Sequence, residues 1–420
     1  MTFLMPIPAS SRSRATTAVP WRALVALASA VFLSITIEML PTGLLPEMSR
    51  DLGVGAPLVG LLVSVFAFAV VVTSSPLTAL LRRVPRRTLI TVVLVVLALS
   101  TAASAVAPDY GSLVAIRVVG GIAHGLFWAL VGAYPARLVG PEHLGRAVSV
   151  VLGGGTIALI AGVPLSTALG QAVGWRWAFG VVAIATLAGA AVVRAVLPAD
   201  GPARTVPAGA SEADAAEASA RTAAPPDRAS MRGVLAVCLV TAIVMIGQYA
   251  ALTYVAPLLT DVVGASPAAV APLLFASGLA GAAGLIVAGS AIARDSVRAL
   301  VVAITVLAIA LVAIAAEPGL WPGIIAYTVW GFAFGAIPPL LQTRLLQAAP
   351  PDRRDAASAL YTTAFNIGIG GGALVGGLLF GAFGAASVPV AYAALLVVAA
   401  VVVVASARAA RGRAGAVARA

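Results

Sequence analysis

The sequence contains no lysine, one cysteine and two histidines, and only 10% of its 420 residues are charged. Each scarcity removes a class of function. A single thiol, Cys238, makes no disulfide framework and no cysteine metal cluster, and it reads as a small core residue. His124 and His143 are too few for a histidine-rich metal site, so no metal or cofactor is expected. No Walker loop occurs, which leaves the chain without a nucleotide-driven motor of its own. The glycine run "GGGTIALIAG" lies inside an apolar stretch, where it has no nucleotide to cradle. There is no HExxH and no recognisable nucleophile motif.

What the chain has in excess is apolar surface. It is 61% hydrophobic, with a mean hydropathy of +1.06. Soluble domains run near half apolar and a quarter charged, so this composition belongs to an integral membrane protein. At roughly twenty apolar residues per crossing, Pro, Gly and charge clusters cut the chain into twelve spans. These are 23–45, 58–80, 88–107, 112–134, 147–170, 178–197, 233–256, 269–292, 299–316, 322–344, 356–382 and 388–407. The short alternating segments of a membrane barrel are not seen. A long uncleaved first helix, followed by further spans, fits better than a secretory leader.

The expected fold is therefore an all-α integral membrane protein, with twelve transmembrane helices in two six-helix pseudo-repeat bundles. A tail covers 1–22 and the first bundle 23–197. A flexible Ala/Pro/Ser-rich linker covers 198–232, the second bundle 233–407 and a basic tail 408–420. The net charge of +11 is carried by arginine alone. Arginines at both ends, in the linker and in alternate loops fall on one side, while only Arg50 and Arg176 fall on the other. The positive-inside rule then puts both termini in the cytoplasm, and the inner (plasma) membrane is the expected location. The basic balance reads as topology, not as a nucleic-acid footprint.

The halves echo each other. "GGGTIALIAGVPLSTALG" in the fifth span and "GIGGGALVGGLLFGAFG" in the eleventh are both crowded with glycine, which lets helix backbones approach closely in lipid. Paired halves suggest repeats with a cavity between them.

Two ionisable groups stand inside spans. Glu38 is the single acid well inside one, in "SITIEMLPTG". Arg117 lies near the middle of the fourth, where an arginine costs about 2.5–3.5 kcal/mol even on a lenient insertion scale. Burial disfavours a charged carboxylate and a nearby arginine favours it, and a group balanced between the two can take up and release a proton. Glu38 is thus read as a proton site and Arg117 as its partner. The competing readings are a static ion pair, or an arginine that locks helices by bonding backbone carbonyls. Arg117, His124 and Trp128 share a helix face at i, i+7 and i+11.

Several stretches carry a resemblance to a known family. They are "EMLPTGLLPEMSRDLGV", "RVPRRTLI", "LVAIRVVGGIAHGLFW", "GVPLSTALGQAVGWRWAF" and "FNIGIGGGALVGG". In that order and spacing the chain resembles the major facilitator superfamily. Within it, the likeness is to the twelve-helix drug:proton antiporter branch, nearest to bacterial sugar efflux proteins and related drug exporters. The resemblance implies a secondary active exporter. It would exchange a small solute, a sugar or an amphiphilic drug, for protons by alternating access, working as a monomer with no enzymatic activity. An acid in the first helix and an arginine in the fourth are associated with proton coupling in that branch, and Glu38 and Arg117 match those positions. "AGVPLSTALG" is similar to the antiporter signature.

Residues assigned to helix packing and gating are Pro41, Gly121, Gly162, Pro164, Gly170, Gly368 and Gly372. The loop after the second span keeps Arg83, Arg86 and Arg87 of the family pattern. It has Thr78, Arg82 and Pro85 where Gly, Asp and Gly are usual, so the family's loop acid is missing. Candidates for a substrate cavity are His124, Trp128, Gln248, Tyr249, Tyr254, Trp330, Tyr361 and Asn366. Aromatic rings with polar tips suit sugars and amphiphiles alike, though each also reads as a core or interfacial residue. A proton-coupled importer on the same fold, a transport-dead sensor and an integral-membrane enzyme remain as alternatives. The last would need a cluster of catalytic groups, and the sequence offers scattered singles.

Overall fold

A computed structural model describes residues 20–81, 83–132, 134–139, 141–198, 230–289, 295–317, 319–350 and 353–417. The expected N-terminal tail and the linker lie almost wholly outside the described residues, as does Arg82. Within them, twelve helices are long and apolar enough to cross a membrane. The first six are α1 (Trp21–Gly43), α2 (Ala56–Leu80), α3 (Arg86–Ala105), α4 (Tyr110–Val131), α5 and α6 (Trp175–Val196). The second six are α7 (Met231–Thr253), α8 (Val270–Ala288), α9 (Ser296–Ala315), α10 (Leu320–Ala348), α11 (Arg354–Phe383) and α12 (Ser387–Val417). Helix α5 runs from Pro141–Ile157 through a π turn, Ala158–Gly162, into Val163–Val173. Pro164 follows that turn directly, and the wider π hydrogen bonding absorbs its missing N–H.

Each expected span has its helix, but the ends differ. Hydropathy marks where apolar residues stop, whereas a helix continues for as long as its backbone bonds are made. Thus α10 reaches Ala348, and α12 runs to Val417 through residues expected to form a tail. An eight-residue helix, Leu45–Leu52, occupies what reads as a loop, and Gly53 ends it in the left-handed region (φ 64°). Two helix starts at the arginine-rich face are capped by side chains. Asp295 accepts from the N–H groups of Val297 and Arg298, and Ser230 from that of Gly233.

The two halves repeat one packing scheme. Helix α1 packs on α5, α2 on α4 and α3 on α6; likewise α7 packs on α11, α8 on α10 and α9 on α12. Glycine sets these distances. A methyl group at Gly372 would lie 2.5 Å from the Ile246 carbonyl oxygen, and one at Gly154 would collide with the Ala28 carbonyl. The joints α5–α6 and α11–α12 both turn on a glycine with positive φ, Gly174 (97°) and Gly384 (79°).

The halves meet mainly through α2 against α11 and through the Ala158–Val173 part of α5 against α8. These contacts lie toward the face opposite the termini. Val63 and Ala67 pack on Ile369 and Ala373, and Gln171 donates to the Pro267 carbonyl at 2.9 Å. Among the described residues the first part of α5 takes no comparable share, so the contacts between the halves are concentrated at the face opposite the arginine-rich one. On the closed face the Asp51 carboxylate accepts from Trp175 Nε1 (3.0 Å) and Arg176 Nε (3.1 Å). Arg176 also donates to the Ala107 carbonyl at 2.8 Å. Its position on the arginine-poor side thus has a structural cause.

Tyr254 closes the seam. It follows α7, yet its ring is buried in the core of the first half and stacks on Phe380 of α11. Its hydroxyl donates to the Pro57 carbonyl at 3.3 Å and occupies a notch between Gly60 and Gly377, where added Cβ atoms would strike it. Tyr254, expected to line a cavity, bridges the two halves here, just past the end of α7. In a Cys238→Ser background, a cysteine placed at Ala373 is therefore expected to resist an impermeant thiol reagent applied at the closed face. Adding Tyr254→Ala should raise its labelling rate several-fold.

Candidate functional site

The polar centre of the first half begins with proline. Pro41 has no N–H, so the Ile37 carbonyl, four residues back, loses its helical donor. Arg117 of α4 supplies one: its guanidinium donates to the Ile37 and Glu38 carbonyls, each at 3.1 Å. The cation also lies over the Phe66 ring of α2, 4.2 Å from its centre. Its Nε has no hydrogen-bond partner.

Arg117 is thus not hydrogen-bonded to the Glu38 carboxyl. It remains within electrostatic reach, but its N–H groups point at backbone. The side chain that faces the carboxyl is His124, with Nε2 3.4 Å from Glu38 Oε2. On the other side of the ring, Nδ1 is 2.8 Å from Ser34 Oγ. Ser34 and Glu38 are one turn apart on α1, and His124 spans them from α4. All are sequestered: Ser34 is 0% exposed, His124 and Arg117 3%, and Glu38 7%. Phe66 meets the imidazole edge-on at 5.1 Å, and Trp128 lies 6.2 Å away. Across the midline, the phenol of Tyr249 on α7 lies in the electrostatic field of Glu38.

The second half carries an uncharged counterpart. Gln248 is the eighteenth residue of α7, as Glu38 is of α1. Its Oε1 accepts from Trp330 Nε1 at 2.8 Å and from the Tyr392 hydroxyl at 3.1 Å. Indole N–H only donates, so the amide orientation is fixed by chemistry. Tyr327 meets Trp330 edge-on at 5.4 Å.

The remaining expected residues separate. Tyr361 donates to the Pro338 carbonyl at 3.3 Å, linking α11 to α10. The Asn366 amide returns to its own helix at Thr362. Gly121 presses on the Phe66 carbonyl, Gly162 on Thr36 and Phe32, Gly170 on Leu44, and Gly368 on Met245. Arg83 is exposed, and Arg87 donates to the Arg194 carbonyl at the end of α6. Ser34, Phe66, Tyr327 and Tyr392 were not among the sequence candidates. Only Ser34 carried a signal, its place one turn before Glu38.

Twelve helices in two matched bundles, with an ionisable cluster sealed at their centre, define a membrane transporter rather than an enzyme. The chain belongs to the Major Facilitator Superfamily, whose model matches residues 27–294 and 237–418. A protein of Mycobacterium tuberculosis (strain CDC 1551 / Oshkosh) described as a chloramphenicol efflux pump is 35% identical over 387 residues, covering 89% of this chain and 90% of that one. Its counterpart in strain ATCC 25618 / H37Rv is equally similar. Among solved structures, a bacterial homolog of the human lysosomal transporter Spinster, inward-facing and unoccupied, superposes with a TM-score of 0.73 at 16% identity. That match covers 95% of this chain and 99% of the other. The human organic anion transporter MFSD10 (TETRAN) gives 0.65 at 18% identity, with 92% and 100% covered. These two share the fold.

The proline–arginine relation is open to a double-mutant cycle. Arg117→Met should lower thermal stability by about 1–3 kcal/mol, the cost of a buried carbonyl left without a donor. In a Pro41→Ala background, where residue 41 regains its N–H, the same change should cost markedly less.

Proposed function

We propose that the protein exports a small amphiphilic antibiotic of the chloramphenicol kind in exchange for protons, with Glu38 as the proton site. The observation that carries this reading is the placement of Glu38. It is a buried carboxyl on α1, 3.4 Å from His124 of α4 and within the electrostatic reach of Arg117. An ionisable group held there is costly and is kept for function by default. The efflux pumps at 35% identity over nearly the whole chain support a drug rather than a sugar as cargo. The uncharged cluster of Gln248, Trp330 and Tyr392 suits a neutral amphiphile.

The packing supports a cycle of alternating access. The halves rock about their contacts, so that a cleft open at the arginine-rich face closes as the Tyr254 seam opens. With that face cytoplasmic, as the arginine bias indicates, cargo enters from the cytoplasm. Protonation of Glu38 from outside resets the carrier. Arg117 stays bound to the α1 backbone and so holds a positive charge near the carboxyl throughout. The monomer contains both halves and suffices.

Inside-out vesicles with an imposed proton gradient test this. Wild-type protein should accumulate chloramphenicol, and collapsing the gradient should stop it. Glu38→Gln should abolish accumulation while leaving the fold intact by thermal melting. Continued uphill, gradient-dependent accumulation by that variant would remove Glu38 from the role.

A further inference from the structure

His124 has a chemistry of its own that the proposed role of Glu38 leaves unused. The hydroxyls at Thr36 and Thr42 of the same helix return to carbonyls of α1, those of Phe32 and Met39. Ser34 does not. Its Oγ makes a single hydrogen-bond contact, 2.8 Å to His124 Nδ1, and the residue is fully buried. A buried hydroxyl hydrogen with one available acceptor is directed at that acceptor. Nδ1 therefore carries the lone pair, and the imidazole hydrogen sits on Nε2, facing Glu38 Oε2. Nε2 lies 3.4 Å from the carboxyl oxygen, longer than a formed bond, and the contact tightens when the acceptor becomes charged.

The same geometry argues against a second proton on the ring. Hydrogen on Nδ1 would leave the Ser34 hydroxyl without an acceptor in a sealed site. It would also place a second cation beside Arg117, one face of the same helix. The groups facing this pair are Arg117, bound to the Ile37 and Glu38 carbonyls, Tyr249 from α7, and the apolar edges of Phe66 and Trp128.

We propose that His124 is a fixed, neutral hydrogen-bond donor that positions the Glu38 carboxyl, that Ser34 sets its tautomer, and that the ring carries no proton through the cycle. This rests on Glu38 being the proton site. It makes His124 a positioning residue, not the substrate-cavity residue the sequence suggested. A Gln side chain places its amide nitrogen near the Nε2 position, whereas Asn reaches only as far as Nδ1. The two substitutions therefore separate donation to Glu38 from contact with Ser34.

In inside-out vesicles with chloramphenicol as probe, His124→Gln should keep gradient-driven accumulation within about threefold of wild type, because the donor to the carboxyl is retained. His124→Asn should lose on the order of tenfold, a hydrogen bond to a charged group being withdrawn. Gradient-free exchange of chloramphenicol should change little in both, a readout that a mere packing defect would not spare. His124→Gln as inactive as His124→Asn, or His124→Asn equal to wild type, would overturn the proposal. Glu38→Gln measured alongside separates the two levels: if it still accumulates cargo uphill, the proton-site reading fails, and if it does not, the histidine result stands alone.

A second measurement needs no active variant. The chain has two histidines, so nitrogen NMR of the histidine-labelled native protein, with His143→Gln to assign the signals, reads the ring directly. The neutral Nε2–H form is expected for His124 across the pH range in which transport runs. The Nδ1–H form, or a doubly protonated ring, would overturn the assignment.

Discussion

The centre of this protein depends on one missing hydrogen. Pro41 leaves the Ile37 carbonyl without its helical donor, and Arg117 fills the gap from a neighbouring helix. That bond fixes α1 to α4 deep in the first half and accounts for a cation in an otherwise apolar interior. It also frees the Glu38 carboxyl from direct pairing. A guanidinium clamped to the carboxylate would hold it ionised by contact. Clamped to backbone, it supplies a steady field and leaves His124 as the side chain nearest the carboxyl, at 3.4 Å. The proline, the arginine, the histidine and the glutamate thus act as one unit.

The two halves share packing but not chemistry. Matched helix pairs, matched glycine contacts and matched left-handed glycines at the last joint of each half describe one scaffold used twice. At the eighteenth residue of its first helix, one copy carries Glu38 and the other Gln248. The near-isosteric amide, pinned between an indole and a phenol, holds the position without charge. The buried carboxyl is confined to one half, and the neutral polar cluster lies in the other. The two halves therefore face each other with unlike polar centres rather than with two like ones.

The sequence made the fold legible because its signals are long and repeated: apolar runs of crossing length, arginines restricted to alternate loops, and glycine-rich spans at matching places. Glu38 and Arg117 were legible as lone charges where charge is costly. That Arg117 bonds backbone carbonyls was one of the readings the sequence left open; which carbonyls it bonds was not legible. Pro41 announces an orphan carbonyl, but which side chain fills it depends on how α1 crosses α4, and linear spacing carries no crossing geometry. Ser34 reads as an ordinary back-bonding serine until His124 is placed beside it. Tyr392 reaches Gln248 from the last helix, with no register to connect them. An aromatic ring with a polar tip, as at Tyr254, reads the same from sequence in a cavity and in a seam.

That seam has a mechanical consequence. The Tyr254 hydroxyl rests in a notch only as deep as two absent methyl groups, one from each half. Such a fit behaves as a detent. Small tilts of the bundles leave the ring seated, and separation requires it to leave the notch completely. Opening at that face is then a discrete event with a local barrier rather than a graded widening. Its rate can be altered at a single side chain while the packing inside each half stays unchanged.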